Sequence, residues 1–360
     1  MIFRAPELSK ATRRDLATLD ELRVELGERA KAPVPWMGRL RRSFQAEVAS
    51  SSIGIEGFHV TPAEALDVVR GGERGPEGDE DRAALACYAR AMDHVAAMAD
   101  DPAFRWSARV ILDLHFDACW FQPERRPGRW RTGPVSVTMP GGDGLAYVGP
   151  DAADVPALVD ELVESLARAG DDHVVVRAAM VHLNLVSIHP FEDGNGRVAR
   201  IVQSLVLGRE GILGADLASI EEHLGRNTGA YYDVLRRVQG GSYQPERDAA
   251  LWIDFCVGAH LEQARRRLEQ LAAAARRWAA LEALVERGGW PDRLAVALEQ
   301  ALFGRVDRAS YASEAAVSAP TASNDLRRLV DARLLEARGQ GRNIHYVASP
   351  GLRAAVDRAS

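Results

Sequence analysis

The stretch Ile188-His189-Pro190-Phe191-Glu192-Asp193-Gly194-Asn195-Gly196-Arg197-Val198-Ala199-Arg200 gathers a base, a carboxylate, two glycines and two arginines into one turn and the start of one helix. Upstream, from His173 to Ile188, a mostly apolar segment has the length of a buried helix. Pro190 disfavours helix at His189 and so leaves the imidazole at a helix end. Gly194 and Gly196 let the backbone turn where a side chain would obstruct it, and the N–H groups that follow form an anion-binding nest at the start of the next helix. In that helix Val198, Ile201, Val202, Leu205 and Val206 recur at helical spacing and face the core. Arg197 and Arg200 therefore share a different face, near the positive helix N-terminus. Two cations at that end are unfavourable unless a polyanion meets them. Asp193 adds a hard oxygen ligand of the kind Mg²⁺ takes beside phosphate and water, and His189 accepts a proton near neutral pH. Spacing alone thus points to a site for nucleotide phosphates and Mg²⁺ with a general base at hand, and to phosphoryl or nucleotidyl transfer as the reaction class.

Composition sets the frame around this stretch. A chain of 360 residues with 47% hydrophobic content is long enough for two or three domains with real cores. Its formal net charge of -6 and pI near 5.9 create no global field toward nucleic acid, although a local patch remains open. Cys87, Cys119 and Cys256 are widely spaced and odd in number, which fits neither a disulfide framework nor a zinc site. The beginning, Met1-Ile2-Phe3-Arg4, lacks a signal-type apolar run, and no segment approaches the ~18 apolar residues of a membrane span. The expectation is a cytoplasmic protein with no membrane partner.

Outward from the motif toward the N-terminus, residues 1–50 suggest one or two amphipathic helices broken near Pro33 and Pro35. Next comes Ser50-Ser51-Ser52-Ile53-Gly54-Ile55-Glu56-Gly57, in which a hydroxyl residue precedes a lone glutamate by one helical turn and a glycine closes the segment. On its own this reads as an exposed helix end. Thr61-Pro62-Ala63-Glu64 opens a largely helical region to about residue 100, interrupted by a polar, acidic loop over 71–81. A helix over 107–122 carries His115, read as structural. Between Pro123 and Pro150 the pattern changes: Pro127-Gly128-Arg129-Trp130-Arg131 leads into the alternating run Val135-Ser136-Val137-Thr138 and a turn at Pro140-Gly141-Gly142-Asp143-Gly144. That is a β-hairpin signal. Beside a reactive site such a hairpin clamps an extended peptide by adding a strand, with Val135 the residue at the clamp; an ordinary surface loop is the other reading. Helix resumes over residues 152–169.

Toward the C-terminus, residues 251–287 form a long helical tract with Leu261, Leu268, Leu271 and Trp278 on a repeating face. Part of it closes the core, and the rest serves as a connector or a homodimer contact. Gly288-Gly289-Trp290-Pro291 breaks it and marks a domain boundary. Residues 291–360 read as three short helices, at 294–303, from Ser310 to Val317, and from Ser318 or Thr321 to Asp331. A hairpin through Gly339-Gln340-Gly341 follows. This resembles a winged helix-turn-helix module with Thr321, Ser323, Asn324, Arg327 and Arg328 on its recognition helix. The partner it implies is DNA, with protein docking as the alternative.

The run HPFEDGNGRVAR resembles the signature of the Fic family, HPFx(D/E)GNGRxxR, at every fixed position. The similarity spans residues 105–255 and includes Gly128-Arg129-Trp130-Arg131 and Arg226-Asn227 with Tyr231-Tyr232. It implies a mainly α fold, a helical core with one β-hairpin flap, here followed by the winged-helix domain. The division expected is an N-terminal helical region at 1–104, the Fic core at 105–255, a connector at 256–290 and the C-terminal module at 291–360. It also implies transfer of AMP from ATP to a Ser, Thr or Tyr hydroxyl of a target protein. By that resemblance His189 is the base, Phe191 the loop anchor and Asp193 the Mg²⁺ ligand. Gly194, Asn195 and Gly196 are the phosphate cradle, and Arg197 and Arg200 the phosphate-binding arginines. Asn227, Tyr231 and Tyr232 fall where the family contacts adenosine, with core packing the other reading for the tyrosines. Gly196 stands where Doc-type kinases of the superfamily carry lysine, which favours AMP transfer. Within 52–57, Ser52 and Glu56 match the inhibitory motif (S/T)xxxE(G/N), whose glutamate pairs with the second motif arginine, here Arg200, in a bidentate contact. The alternatives are removal of AMP by the same site, or a DNA-binding regulator that uses the core as a nucleotide sensor.

Overall fold

Caps and prolines cut the helical pattern into rods where the sequence places them. In the computed structural model, which describes residues 1–71, 79–138, 145–168, 170, 172–211 and 213–357, helices α1 (Lys10–Ala30) and α2 (Met37–Ile55) flank the Pro33–Pro35 break. Helix α3 (Pro62–Val69) opens with a complete capping box, Thr61 Oγ accepting the Glu64 N–H while the Glu64 carboxylate accepts the Thr61 N–H at 2.8 Å. The acidic loop expected over 71–81 falls mostly on residues 72–78, outside the described residues. It ends earlier than expected, because Asp79 caps α4 (Glu80–Asp100) by accepting the Arg82 N–H. Helix α5 (Ala108–Cys119) leads to the hairpin, β1 (Ser136–Thr138) and β2 (Leu145–Val148), paired antiparallel with Val137 opposite Tyr147. Its expected turn at 140–144 lies outside the described residues. Strand β2 is also held from its far side, where the Val148 N–H donates to Gly241 O at 3.0 Å and Val148 O accepts from the Tyr243 N–H at 3.1 Å.

Helices α6 (Val155–Ala167), α7 (Val174–Ile188), α8 (Asn195–Gly208), α9 (Ala215–Ala218), α10 (Glu221–Arg226), α11 (Thr228–Gln239) and α12 (Ala250–Arg287) complete the core. Helix α7 is buried at every position except Arg177, as a helix with apolar residues on all its faces must be. It packs most extensively against α8, which also lies on α4 and α5. The three cysteines are buried and form no disulfide.

Two compact units result, one of Met1–Lys31 with Arg41–Arg267 and one of Ala32–Leu40 with Leu268–Ser360. The chain passes from one to the other at 267–268, inside α12, whereas the boundary was expected near residue 291, just past the helix end at Arg287. The short stretch 32–40 joins the second unit, where buried Arg39 pairs with Glu299 at 3.4 Å and Glu314 at 2.6 Å.

Within that second unit lie α13 (Leu294–Leu302), α14 (Arg308–Glu314), α15 (Ala319–Asp331), the antiparallel pair β3 (Leu335–Arg338) and β4 (His345–Ala348), and α16 (Pro350–Asp357). Ser318 caps α15 as expected. Helix α14 is capped by Asp307, whose carboxylate accepts the Ala309 and Ser310 N–H groups, so Ser310 is the reciprocal partner and not the cap. Helix α16 was not expected, and neither was the pairing of Val306 with Tyr346 beside the hairpin. Among the described residues no helix is long and apolar enough to cross a membrane.

Candidate active site

Helix α7 stops because His189 takes a left-handed conformation, φ 51° and ψ 59°, while its N–H still reaches Leu185 O at 2.9 Å. A non-glycine residue in that region ahead of a proline is strained and persists only when neighbours hold it. Arg131 supplies the hold. Buried at 3% exposure, it donates from Nε to His189 O at 2.8 Å, from Nη1 to Gly133 O at 2.7 Å and from Nη2 to Pro150 O at 2.6 Å, and its backbone N–H donates to Pro190 O at 2.9 Å. The hairpin base is thereby fastened to the loop that carries His189. Tyr147 adds a second tie from β2, its hydroxyl donating to Ser187 O at 2.6 Å. The sequence carried Arg131 only as part of the Gly128–Arg131 run and gave it no role, since a guanidinium that serves the carbonyls of His189 and Pro150, 58 and 19 residues away, has no local signature. Val135 stands just before β1, packed so closely on Gly149 that a Cβ there would come within 2.7 Å of it.

The His189 ring is half-buried, with Nδ1 directed to Val186 O at 3.3 Å. As a donor there, Nδ1 carries the proton and Nε2 keeps its lone pair. Burial pushes the imidazole pKa below its ordinary value, a shift that the Val186 carbonyl opposes. A base must be unprotonated to accept a proton, so the reactive form persists to lower pH than for a free imidazole. Any reaction that uses this imidazole as its base falls off on the acid side with a midpoint below the ordinary value of about 6.5, measurable as the pH dependence of kcat.

The loop after His189 is closed by Asn195, whose Oδ1 accepts the Phe191 N–H at 2.9 Å and whose Nδ2 donates to Phe191 O at 3.0 Å. Both side-chain groups are thus committed. The Asn195 side chain therefore shapes the loop, and the part of this residue that faces an anion is its backbone N–H. Phe191 is fully buried as expected, its ring stacked on His115 at 3.7 Å and 5.2 Å from Trp130. His115 is structural, as read, and lies between the hairpin stem and the motif loop.

The two glycines serve different ends. Gly194 has φ 75° and caps α8, and an added Cβ would collide with Cys119 Sγ. Gly196 is helical, so its expected role in turning the chain is not observed; a Cβ there would stand 2.5 Å from Glu56 Oε1 and 3.1 Å from Arg200 Nη1. Space for the Glu56 carboxylate is what Gly196 provides. Gly194→Ala combines left-handed backbone strain with a steric clash, and we expect it to lower stability by about 2 kcal/mol or more, readable as a fall in the thermal midpoint.

The first turn of α8 has no capping side chain, so the N–H groups of Asn195, Gly196 and Arg197 are available to an anion. Asp193 accepts the Gly194 N–H on Oδ1 at 2.7 Å and faces Arg197 Nη2 with Oδ2 at 3.3 Å. Among the described residues no three His, Cys, Asp or Glu side chains converge on a point. The site therefore offers a metal one carboxylate, which suits Mg²⁺ completed by water and phosphate oxygens.

Both motif arginines are about 1% exposed, which corrects their assignment to a face turned away from the core. Arg197 packs against the edge-to-face pair Phe58 and Phe121, 5.6 and 5.2 Å from their centroids, and its Nε and Nη1 have no hydrogen-bond partner among the described residues. Arg200 donates from Nε to Ser52 Oγ at 2.7 Å and from Nη2 to Ser52 O at 3.0 Å and Glu56 Oε1 at 2.9 Å, while Nη1 lacks a partner among the described residues. Glu56 thus meets Arg200 through one nitrogen, in place of the bidentate fork expected. Buried guanidinium N–H groups without acceptors fit an anionic ligand, since leaving them unpaired is costly.

The three adenosine candidates are less open than expected. Tyr231 is buried, its hydroxyl on His182 Nε2 at 2.9 Å, and so belongs to the core behind Arg200 and not to a nucleotide surface. Tyr232 is half-buried and donates to Ile55 O at 3.3 Å, at the end of α2. Asn227 donates to His223 O at 2.9 Å, at the junction of α10 and α11.

A buried helix pair presenting a histidine, a carboxylate, uncapped N–H groups and two sequestered arginines beneath a hairpin defines a helical domain built around a candidate anion site. Residues 105–207 match the Fic/DOC family model, and the chain carries a Fic domain. Among known proteins, the protein adenylyltransferase Fic of Aedes aegypti is 29% identical over 198 residues, 54% of this chain and 37% of that protein. The protein adenylyltransferase Fic of Nematostella vectensis is 36% identical over 137 residues, 38% of this chain and 29% of that protein. The chain thus spans well under half the length of these relatives. Among solved structures, a Fic family protein from Desulfovibrio desulfuricans superposes with a TM-score of 0.62 at 23% identity, covering 97% of this chain and 99% of that one. Fic-1 from C. elegans gives 0.56 at 19% identity over 73% and 74% of the two chains.

Proposed function

We propose that this chain transfers AMP from ATP to a hydroxyl side chain of a protein, and that Glu56 restrains the transfer by occupying Arg200. The observation that carries the reading is the 2.9 Å contact of Glu56 with Arg200, made inside a Fic motif whose other functional positions are intact. ATP supplies the polyanion that the uncapped turn of α8 and the unpaired N–H groups of Arg197 and Arg200 lack. Asp193 would hold Mg²⁺, which would supply positive charge to the phosphate oxygens. His189 takes the proton of the incoming hydroxyl at Nε2, and the attack in line on the α-phosphorus expels pyrophosphate. The hairpin, fixed to the same loop through Arg131 and Tyr147, aligns the target segment near Val135. With Glu56 on Arg200, the triphosphate loses one of its two arginines and settles in a pose unfit for in-line attack. Self-labelling of wild type and Glu56→Gly with ATP tests the reading.

A second reading concerns the C-terminal unit, which we take as a winged helix-turn-helix module that docks a polyanion, duplex DNA foremost. A cavity of about 1080 Å³ between α15 and the β3–β4 pair is lined by Arg305, Arg308, Ser323, Arg327 and His345, and its one carboxylate, Asp307, is engaged in capping α14. The expected result is retardation of a duplex by the full chain that weakens steeply between about 50 and 200 mM salt and is lost in Arg327→Glu. Retardation unaffected by that substitution overturns this reading in favour of a protein partner.

A further inference from the structure

His115 is buried between the two segments that shape the candidate site, and no described contact joins it to His189 or Arg200. Its Nδ1 accepts the Gly128 N–H at 2.8 Å and its Nε2–H donates to Asp193 O at 3.0 Å, while its face stacks on Phe191 at 3.7 Å with the planes 4° apart. A backbone N–H only donates and a carbonyl only accepts, so both contacts together require a neutral ring with the proton on Nε2. The Asp193 carbonyl and the Gly194 N–H are the two ends of one trans peptide and point in opposite directions. His115 holds the first end, and the Asp193 carboxylate accepts from the second at 2.7 Å. The orientation of that single peptide plane therefore decides where the carboxylate lies and how the following N–H groups of α8 begin. Gly194, at φ 75°, is the residue that lets the plane take this orientation.

We propose that His115 is a positioning residue: by fixing the Asp193–Gly194 peptide plane it aims the Asp193 carboxylate, and through Gly128 it ties the hairpin stem to the same point. The proposal rests on the reading of Asp193 as the nucleotide-side Mg²⁺ ligand, but it concerns the chain's own hydrogen bonds.

Two conservative variants separate the halves of the bridge. In His115→Gln the amide nitrogen falls near Nε2 and keeps a donor for Asp193. In His115→Asn the amide oxygen falls near Nδ1 and keeps an acceptor for Gly128. Both are made in the full chain on the Glu56→Gly background. Amide exchange by mass spectrometry is followed over 126–131 and 190–197, beside thermal melting and calorimetric titration with MgATP. The expected result is a crossover. His115→Gln keeps the exchange of its parent over 190–197 and binds MgATP within about three-fold of its parent, whereas His115→Asn exchanges faster there and binds at least about ten-fold more weakly, as loss of one buried hydrogen bond implies. Over 126–131 the order reverses, and the two melt alike. Equal exchange over 190–197 in both variants, or MgATP binding by His115→Asn at the parental affinity, overturns the proposal. If the Glu56→Gly parent itself binds no MgATP, the nucleotide reading fails, and the exchange crossover still decides the role of His115.

Discussion

Replacing Glu56 with glycine raises ATP-dependent AMP labelling of this chain and of its targets by about ten-fold to a hundred-fold, because the charge-assisted contact it removes is worth about 1.5–3 kcal/mol. The variant is clean in structural terms. Arg200 keeps both of its contacts with Ser52, at 2.7 and 3.0 Å, so its guanidinium stays in place while Nη2 is freed of the carboxylate and joins Nη1 as an open donor. Glu56 lies in the turn after α2, followed by Gly57 at φ 93°, where added backbone freedom costs little order in a helix. The Cβ space at Gly196, now filled by Oε1 of Glu56, opens toward the uncapped N–H groups of α8. A gain in labelling with unchanged melting is the signature of a removed restraint. Unchanged or lower labelling in the variant removes Glu56 from any inhibitory role.

His189→Ala, made on the Glu56→Gly background, has the opposite effect and a comparable or larger size. Loss of a positioned general base costs about 10²–10⁴-fold in kcat. MgATP affinity stays within a few-fold, because the described polar contact of the imidazole is with Val186 O on its own helix and not with Asp193, Arg197 or Arg200. The left-handed backbone at position 189 is held by Arg131 acting on the carbonyl, which alanine retains. Transfer by the folded variant at the parental rate assigns the base elsewhere.

Much of this was legible in the sequence, and what was missed has a common cause. Rods begin where local chemistry says they should, at Thr61-Pro62 and Ser318, because a cap or a proline acts within one turn. The motif residues stood out because their spacing along the chain is itself the signal. Arg131, the bridge made by His115 and the role of Gly196 were not legible, since each depends on an atom 50 or more positions away in the chain. Burial of Arg197 and Arg200 contradicts helical periodicity for the same reason: Phe58, Phe121 and Ser52 arrive from other segments to cover them. The break in compactness within α12 left no trace in composition, as the helix is continuous across it.

The most direct measurement of the central claim is a paired labelling of Glu56→Gly with ATP carrying the radiolabel on the α-phosphate in one reaction and on the γ-phosphate in the other, each repeated with His189→Ala added. The account predicts protein-bound label from the α-position alone, strongly above wild type and lost with the histidine. Label from the γ-position, or α-label indifferent to both Glu56 and His189, contradicts it.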